Sequence, residues 1–444
     1  MKINYKNPFL LFSPFLVLDI FIVSKLHNIV LSGDGPRYIA FAQNLIHGFY
    51  SPPPPSINLW SGPGYPIILI PFVLLKVPYI SITILNALFH YFSIILLFKS
   101  LVRVIPIKKA VFFSFLWAIY FVAYDQIPHI ATEPFTFFLA TVIIYFLVKS
   151  FLQNKLAGTI GSGIALGYLA LVKVMFGYVL LALLILYVAL FVINRHSRVY
   201  KQALLILVIA FATASPYLIY TYNLTGKIFY WGNSGGMSLY WMSTPFKNEY
   251  GDWQPNDLST LLRPPPDPHP FKGTDTNDVK YRAFASLIQN HDLDYQEIYK
   301  ADGIERDDLF KQKAILNIKH HPSKFLMNCL ANMGRLLFNV PYTWKFQDPT
   351  MLVRIVINSV LFTFMLITSM ITMYKWRKIS PLLKFILFLV SIYLLGSTMV
   401  SAYSRIFYII VPFIIFWMAC IFDQFVKISI NTEKKTGINT KIET

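Results

Sequence analysis

The chain has 444 residues, 56% of them hydrophobic, 17% aromatic and only 14% charged, with a formal net charge of +18. Soluble domains carry roughly 25% charged residues, so a water-soluble fold is excluded; a mean hydropathy of +0.54 and repeated apolar runs of about 20 residues predict an all-α polytopic membrane protein. The 39 Lys and Arg against 21 Asp and Glu would suggest nucleic acid on a soluble protein, but here the cations fall between apolar runs, where they set orientation, and no nucleic-acid partner is expected.

Ten spans are expected, at about 8–31, 66–98, 109–124, 133–150, 157–172, 174–193, 201–222, 351–374, 381–402 and 406–426. The first lacks a small-residue cleavage site and reads as a retained span. After it comes SGDGPRYIAFAQNLIHGFYS, residues 32–51. Pro36 suits a first helical turn because no amide hydrogen is needed there. Tyr38, Phe41, Ala42, Leu45 and Ile46 then recur at spacings of three and four, which predicts a short amphipathic helix lying along the membrane with Asp34 at its start. Prolines 52–55 read as a rigid extended connector, and the chain returns to the membrane at GPGYPIIL.

Basic residues cluster on one side of this count: Lys2, Lys6, Lys99, Arg103, Lys108, Lys109, Lys149, Lys155, Arg195, Arg198, Lys201, Lys375, Arg377, Lys378, Lys434 and Lys435. The positive-inside rule makes that side the cytoplasm and places both termini there. Loop 32–65, the turn from Asp125 to Thr132 and the segment 223–349 are then external. Arg37, Lys173 and Arg405 break the bias, and charges at a membrane edge are costly enough to suggest function.

The chain therefore divides into a transmembrane module with the first external loop, 1–222, an external insert, 223–349, C-terminal membrane helices, 350–427, and a cytoplasmic tail, 428–444. The insert opens with WGNSGGMSLYWMSTPF, passes a Pro-rich linker at 262–270 and ends in an amphipathic helix. There Phe325, Leu326, Cys329, Leu330, Met333, Leu336 and Leu337 oppose Lys324, Asn328, Asn332 and Arg335, as in a helix lying on a membrane. Cys329 is expected in a loop and Cys420 in the last span, which speaks against a disulfide, and no Cys/His spacing reads as a zinc site.

In order along nearly its whole length, the chain resembles membrane glycosyltransferases of the GT-C fold, above all the bacterial homologues of dolichyl-phosphate-mannose protein mannosyltransferases and the lipid A aminoarabinose transferases. The first-loop pattern is matched by Asp34, Tyr38, Ala42, Leu45 and Gly48, and the Pro-rich return by Pro63-Gly64-Tyr65-Pro66. Glu133-Pro134 matches the acidic-Pro start of the fourth span, and Lys173 the basic residue after a Gly/Leu/Ala run. Gly235, Gly236, Leu239 and Tyr240 match a patch after the seventh span, and Arg405 and Pro412 the start of the last. The resemblance implies an inverting sugar transfer from a polyprenyl-phosphate donor to a cell-envelope glycan or lipid, less readily a protein. The reaction would take place at the outer, periplasmic face of the inner (plasma) membrane.

Such chemistry needs a carboxylate to take the acceptor's proton and cations to receive the leaving phosphate. Asp34 is the expected general base; the alternative is a plain helix-start residue. Lys173 and Arg405 are the expected phosphate binders, against a snorkelling role. Glu133 is expected to hold sugar or acceptor hydroxyls or help with proton transfer, against a plain helix-start acid, and Arg37 either to bind substrate or to pair with Asp34. Tyr65 and Tyr240 complete the expected substrate-binding set. A divalent cation is left open: His129 and Glu133, four apart, are two ligands without a third. The rival from another class, a transporter or flippase of lipid-linked sugars, predicts two similar halves with broken helices, and no such repeat is visible. An envelope polysaccharide polymerase is a further alternative.

Overall fold

In the computed structural model, residues 7–26, 33–254, 279–343 and 350–426 are described. The Pro-rich linker at 262–270, Lys2, Lys6 and the polar tail lie outside them. Among the described residues the chain is helical throughout, with no strand. Seven helices are long and apolar enough to cross a membrane: α1 (Pro8–Leu26), α4 (Ile80–Leu101), α6 (Glu133–Phe151), α8 (Met175–Ile193), α9 (Arg198–Thr225), α14 (Thr350–Tyr374) and α15 (Pro381–Met399). The expected spans at 109–124, 157–172 and 406–426 correspond to the shorter helices α5 (Ile107–Ala118), α7 (Leu156–Val172) and α17 (Val411–Phe425). The chain is a multi-pass membrane protein.

One expected span is corrected. Residues 66–98 are two helices, not one: α3 (Gly64–Leu74) ends before Val77-Pro78, and α4 starts afresh at Ile80. Proline lacks the amide hydrogen that would continue the first helix and forces the residue before it out of the helical region. Only α4 is long enough to cross.

Prolines mark helix starts elsewhere too. Pro36, Pro134, Pro322, Pro381 and Pro412 each sit in the first turn of their helix. The longest helix, α9, stops where Gly226 takes a left-handed backbone at φ 68°, a conformation glycine reaches without steric cost.

The order of helix ends follows from three contacts. Lys99 in the last turn of α4 lies 4.9 Å over the ring of Phe9 at the start of α1. Gln202 near the start of α9 donates to the carbonyl of Ser150 at the end of α6. Lys109 of α5 pairs with Asp423 of α17 at 2.6 Å. One end of the bundle thus gathers the loops bearing Lys99, Arg103, Lys108, Lys109, Lys149 and Arg198. The opposite end carries the first loop, with α2 (Gly35–Ile46), the short α16 (Ser404–Tyr408) and the insert.

The described part of the insert holds α10 (Gly235–Met242), α11 (Val279–Ile298), α12 (Gly303–His320) and α13 (Pro322–Phe338). Its core gathers Met237, Tyr240, Trp241, Leu287, Tyr295, Ile298 and Phe310. Helix α13 is amphipathic in the inverted sense. Its polar face is the buried one: Asn328 donates to the carbonyls of Met242 and Thr244, Asn332 to those of Ser397, Thr398 and Val400, and Arg335 to those of Tyr250 and Pro341. Leu326, Met327, Leu330 and Met333 point outward, as suits a helix whose apolar side meets lipid.

Candidate active site

Asp34 stands at the start of α2, yet its side chain makes no capping bond to that helix. The plain helix-start role is therefore not the one it fills. The carboxylate turns instead to two guanidinium groups. Arg37 Nη2 donates to Oδ1 at 2.5 Å, and Arg405 Nη2 donates to Oδ2 at 2.8 Å. The Asp34 side chain is 23% exposed. Burial by itself would raise its pKa; Arg405 and Arg37 outweigh that and hold the carboxyl below the usual carboxylate range.

The same arginine reaches a second acid. Arg405 Nε lies 3.8 Å from Glu133 Oε1, and Lys173 Nζ donates to that oxygen at 2.8 Å. Glu133 is fully buried and Lys173 partly so. Five residues from four distant stretches, Asp34, Arg37, Glu133, Lys173 and Arg405, thus form one continuous charge network. A buried carboxylate at this depth survives as an ion only because cations surround it.

Backbone packing sets these positions. The Gly62-Pro63-Gly64 turn runs against the end of α7, immediately before Lys173. A Cβ on Gly62 would lie 2.0 Å from the carbonyl oxygen of Leu171, and one on Gly64 2.8 Å from the amide nitrogen of Val172. Only residues without a side chain allow this approach. Tyr168 of α7 closes the contact by donating to the carbonyl of Gly64. In the first loop, Tyr50 donates to the carbonyl of Ser61 at 2.6 Å, which fixes the connector.

The network opens onto a cavity of about 700 Å³. Asp34, Arg37 and Arg405 line it together with Trp60, Trp241 and Trp253, and with Asp125, Arg354 and Tyr408; the three tryptophans belong to or pack against the core of the insert. Arg37 sits 5.3 Å over the Trp60 ring and Arg405 5.2 Å over that of Tyr403. Such cation–aromatic contacts hold both guanidinium groups in place without using up their donors.

Two expected residues lie elsewhere. Tyr240 does not line the cavity. It is buried in the insert, where its hydroxyl donates to Asp294 at 2.8 Å and sits 2.8 Å from His291 Nδ1. Ser238 and Trp241 of the same helix face the cavity in its place. Tyr65 is buried beneath Tyr38, ring to ring at 5.2 Å, with its hydroxyl unpartnered. Lys173 and Glu133 stand behind Arg405 and not on the cavity wall. Asp125, Arg354 and the tryptophans were not expected from sequence.

The residues present do not fit a divalent cation. Both oxygens of Asp34 and the inner oxygen of Glu133 already face cationic side chains. His129 precedes the first turn of α6, and its carbonyl accepts a bond from Asn86. Among the described residues, no group of three or more His, Cys, Asp or Glu side chains gathers.

No protein-family model and no curated protein sequence matches the chain. Solved structures with a similar course exist. One is ArnT from Cupriavidus metallidurans bound to undecaprenyl phosphate, 11% identical, with 93% of this chain and 77% of that chain covered and a TM-score of 0.40. Another is the Archaeoglobus fulgidus oligosaccharyltransferase tethered to an acceptor peptide, 15% identical, with a TM-score of 0.47. In that case 92% of this chain but only 49% of the other is covered.

Proposed function

We propose that the chain is a GT-C membrane glycosyltransferase that moves a sugar, with inversion, from a polyprenyl-phosphate donor to a glycan or lipid of the cell envelope, at the outer face of the plasma membrane. The observation that carries this reading is the placement of Asp34: an ionised carboxylate on a cavity wall, held by two arginines and not by its own helix.

The chemistry follows from that pairing. The acceptor oxygen attacks the anomeric carbon, and its proton passes to an oxygen of Asp34. The bond from that carbon to the phosphate oxygen breaks, and the electron pair leaves with the polyprenyl phosphate. Arg405 is the natural receiver of that charge, because a guanidinium fits a phosphate with two parallel donors. It now holds Asp34, so a phosphate that draws it away leaves Asp34 less stabilised as an anion and therefore a stronger base. Lys173 and Glu133 fix the other side of Arg405.

Two further features agree with such substrates. The aromatic faces of Trp60, Trp241 and Trp253 suit the C–H faces of sugar rings, with polar edges at hand. A second hollow, of about 410 Å³ and lined almost wholly by apolar side chains, runs between α5, α14 and α17. Such a groove at membrane depth suits a lipid tail.

The test is transfer in membrane vesicles supplied with polyprenyl-phosphate sugars. Asp34→Asn should abolish product formation with expression intact. Undiminished transfer by that variant discards the assignment of the base, and no transfer by the unaltered chain to any envelope acceptor discards the enzyme reading.

A further inference from the structure

The apolar groove and the polar cavity share a wall, and one charged side chain stands at their junction. On α14, Arg354, Ile357, Leu361 and Phe364 follow one another at spacings of three, four and three, so they share a helix face. Ile357, Leu361 and Phe364 line the groove, whereas Arg354 lines the cavity. The partition between the two spaces is aromatic. Tyr120 faces the groove and donates to Asn358 at 2.7 Å. Its ring meets that of Tyr408, which faces the cavity, edge-on at 6.2 Å. The groove lining contains no charged residue, and Phe112, Ile119, Val360 and Phe364 at its outer edge are exposed on the helical surface. At the cavity end of the groove the ionic neighbour is the guanidinium of Arg354, and at the other end the Lys109–Asp423 pair closes on itself at 2.6 Å.

That guanidinium is paired with a partly exposed acid. Arg354 Nη2 lies 3.0 Å from Asp125 Oδ1, with the Arg354 side chain 22% and the Asp125 side chain 42% exposed. Water reaches such a pair and screens part of its attraction, and two side chains must be ordered to make it. A phosphate monoester brings more charge and a geometry that takes two guanidinium donors at once.

We propose that Arg354 is the head-group anchor for an isoprenoid phosphate whose first units occupy the groove, and that Asp125 is a latch that holds the arginine until the phosphate displaces it. This deepens the transferase reading and rests on it. It assigns first contact with the phosphate to Arg354, on the lipid side of the cavity, and leaves Arg405 to receive charge as the sugar departs. Lys173, committed to Glu133, is then a positioning residue and not the initial phosphate contact.

The test is binding, measured by calorimetry on the full-length chain in nanodiscs, with farnesyl phosphate, farnesol and inorganic phosphate as probes. Farnesyl phosphate should bind at least tenfold more tightly than either of the others. Arg354→Gln should weaken it at least tenfold, and Arg354→Lys should restore part of that loss. Asp125→Asn should tighten it two- to fivefold, because the latch is gone. Arg103→Gln, a cation at the opposite end of the bundle, should leave it unchanged. Equal affinity in the unaltered chain and Arg354→Gln overturns the proposal, as does an Asp125→Asn variant that binds as poorly as Arg354→Gln. The assay needs no turnover. Intact farnesyl phosphate binding without any sugar transfer therefore fails the enzyme reading alone, and normal affinity of Arg354→Gln in a transferring protein fails this assignment alone.

Discussion

Arg405 Nη2 sits 2.8 Å from Asp34 Oδ2, although 371 positions separate the two residues in the chain. The contact ties the first loop to the short helix that opens the last membrane segment. It also makes the protonation of the proposed base depend on where one guanidinium points.

That dependence can be measured. With Arg405 in place, Asp34 titrates below the usual carboxylate range, so it is ionised throughout the neutral region. Its pairing contributes stability that is present above the ordinary carboxylate pKa of about 3.9 and is lost as pH falls through the lower folded value. Arg405→Gln removes the largest compensating charge and lets the pKa rise. The acid limb of the pH–rate profile for residual transfer should then move to higher pH, and an unmoved limb would separate Arg405 from the titration of Asp34.

Asp34→Asn keeps the size of the side chain but cannot accept a proton. Transfer should fall by roughly 10²–10⁴-fold, the usual contribution of a general base, while Asp34→Glu retains a measurable fraction. Initial rates in vesicles at saturating donor give the comparison.

Glu133→Gln leaves the partly buried ammonium of Lys173 without its ionic partner. Breaking such a pair from one side costs about 3–5 kcal/mol. Lys173→Met with Glu133→Gln removes both charges and should recover most of that loss. Thermal unfolding of the purified single and double variants reads the coupling directly.

Asp307 accepts the amide hydrogen of Gly236 at the start of α10 at 2.7 Å. Burial pushes its carboxyl up to about 6, with Asp308 adding to the rise against the bond from Gly236 and the nearby Lys227. An acid raised in the folded state destabilises once it must ionise, so its contribution declines as pH climbs from about 4 to about 6. The protein should therefore be more stable at pH 5 than at pH 7, by about 1 kcal/mol. Asp307→Asn keeps the acceptor oxygen and should flatten that slope in a melting series.

Gly62→Ala places a methyl group 2.0 Å from the carbonyl oxygen of Leu171. Overpacking against rigid backbone costs roughly 1–3 kcal/mol, and here it also displaces the residues next to Lys173. Both melting temperature and transfer should drop, whereas Gly235→Ala, which meets nothing within 4 Å, should melt normally.

Much of this molecule is written in residue order. Hydropathy marks the helices because a membrane admits only segments whose backbone bonds are satisfied internally, and prolines mark where they begin. Asp34, Arg37, Lys173 and Arg405 stand out because each is a charge on the side where charge is sparse, and desolvation makes such placements costly. Arg354 carries the same signal, an arginine near the start of an apolar helix, but apolar residues on both sides of it read as one continuous span. The break before α4 was likewise present in Val77-Pro78 and was hidden by apolar residues on both sides.

Other features had no local signal. The polar side of α13 faces inward because carbonyls of Ser397, Thr398 and Val400 await its asparagine, and no spacing within the helix reveals them. Tyr240 turns into the insert because Asp294 and His291 offer it partners there, while its neighbour Trp241 takes the cavity wall. Composition and periodicity determined that this chain is a helical membrane protein with an acid at the start of a surface helix, because burial in lipid acts on each segment separately. Which charges meet, and which aromatic side chains face the cavity, was decided only in three dimensions, because those choices depend on partners from 40 to 371 positions away in the chain.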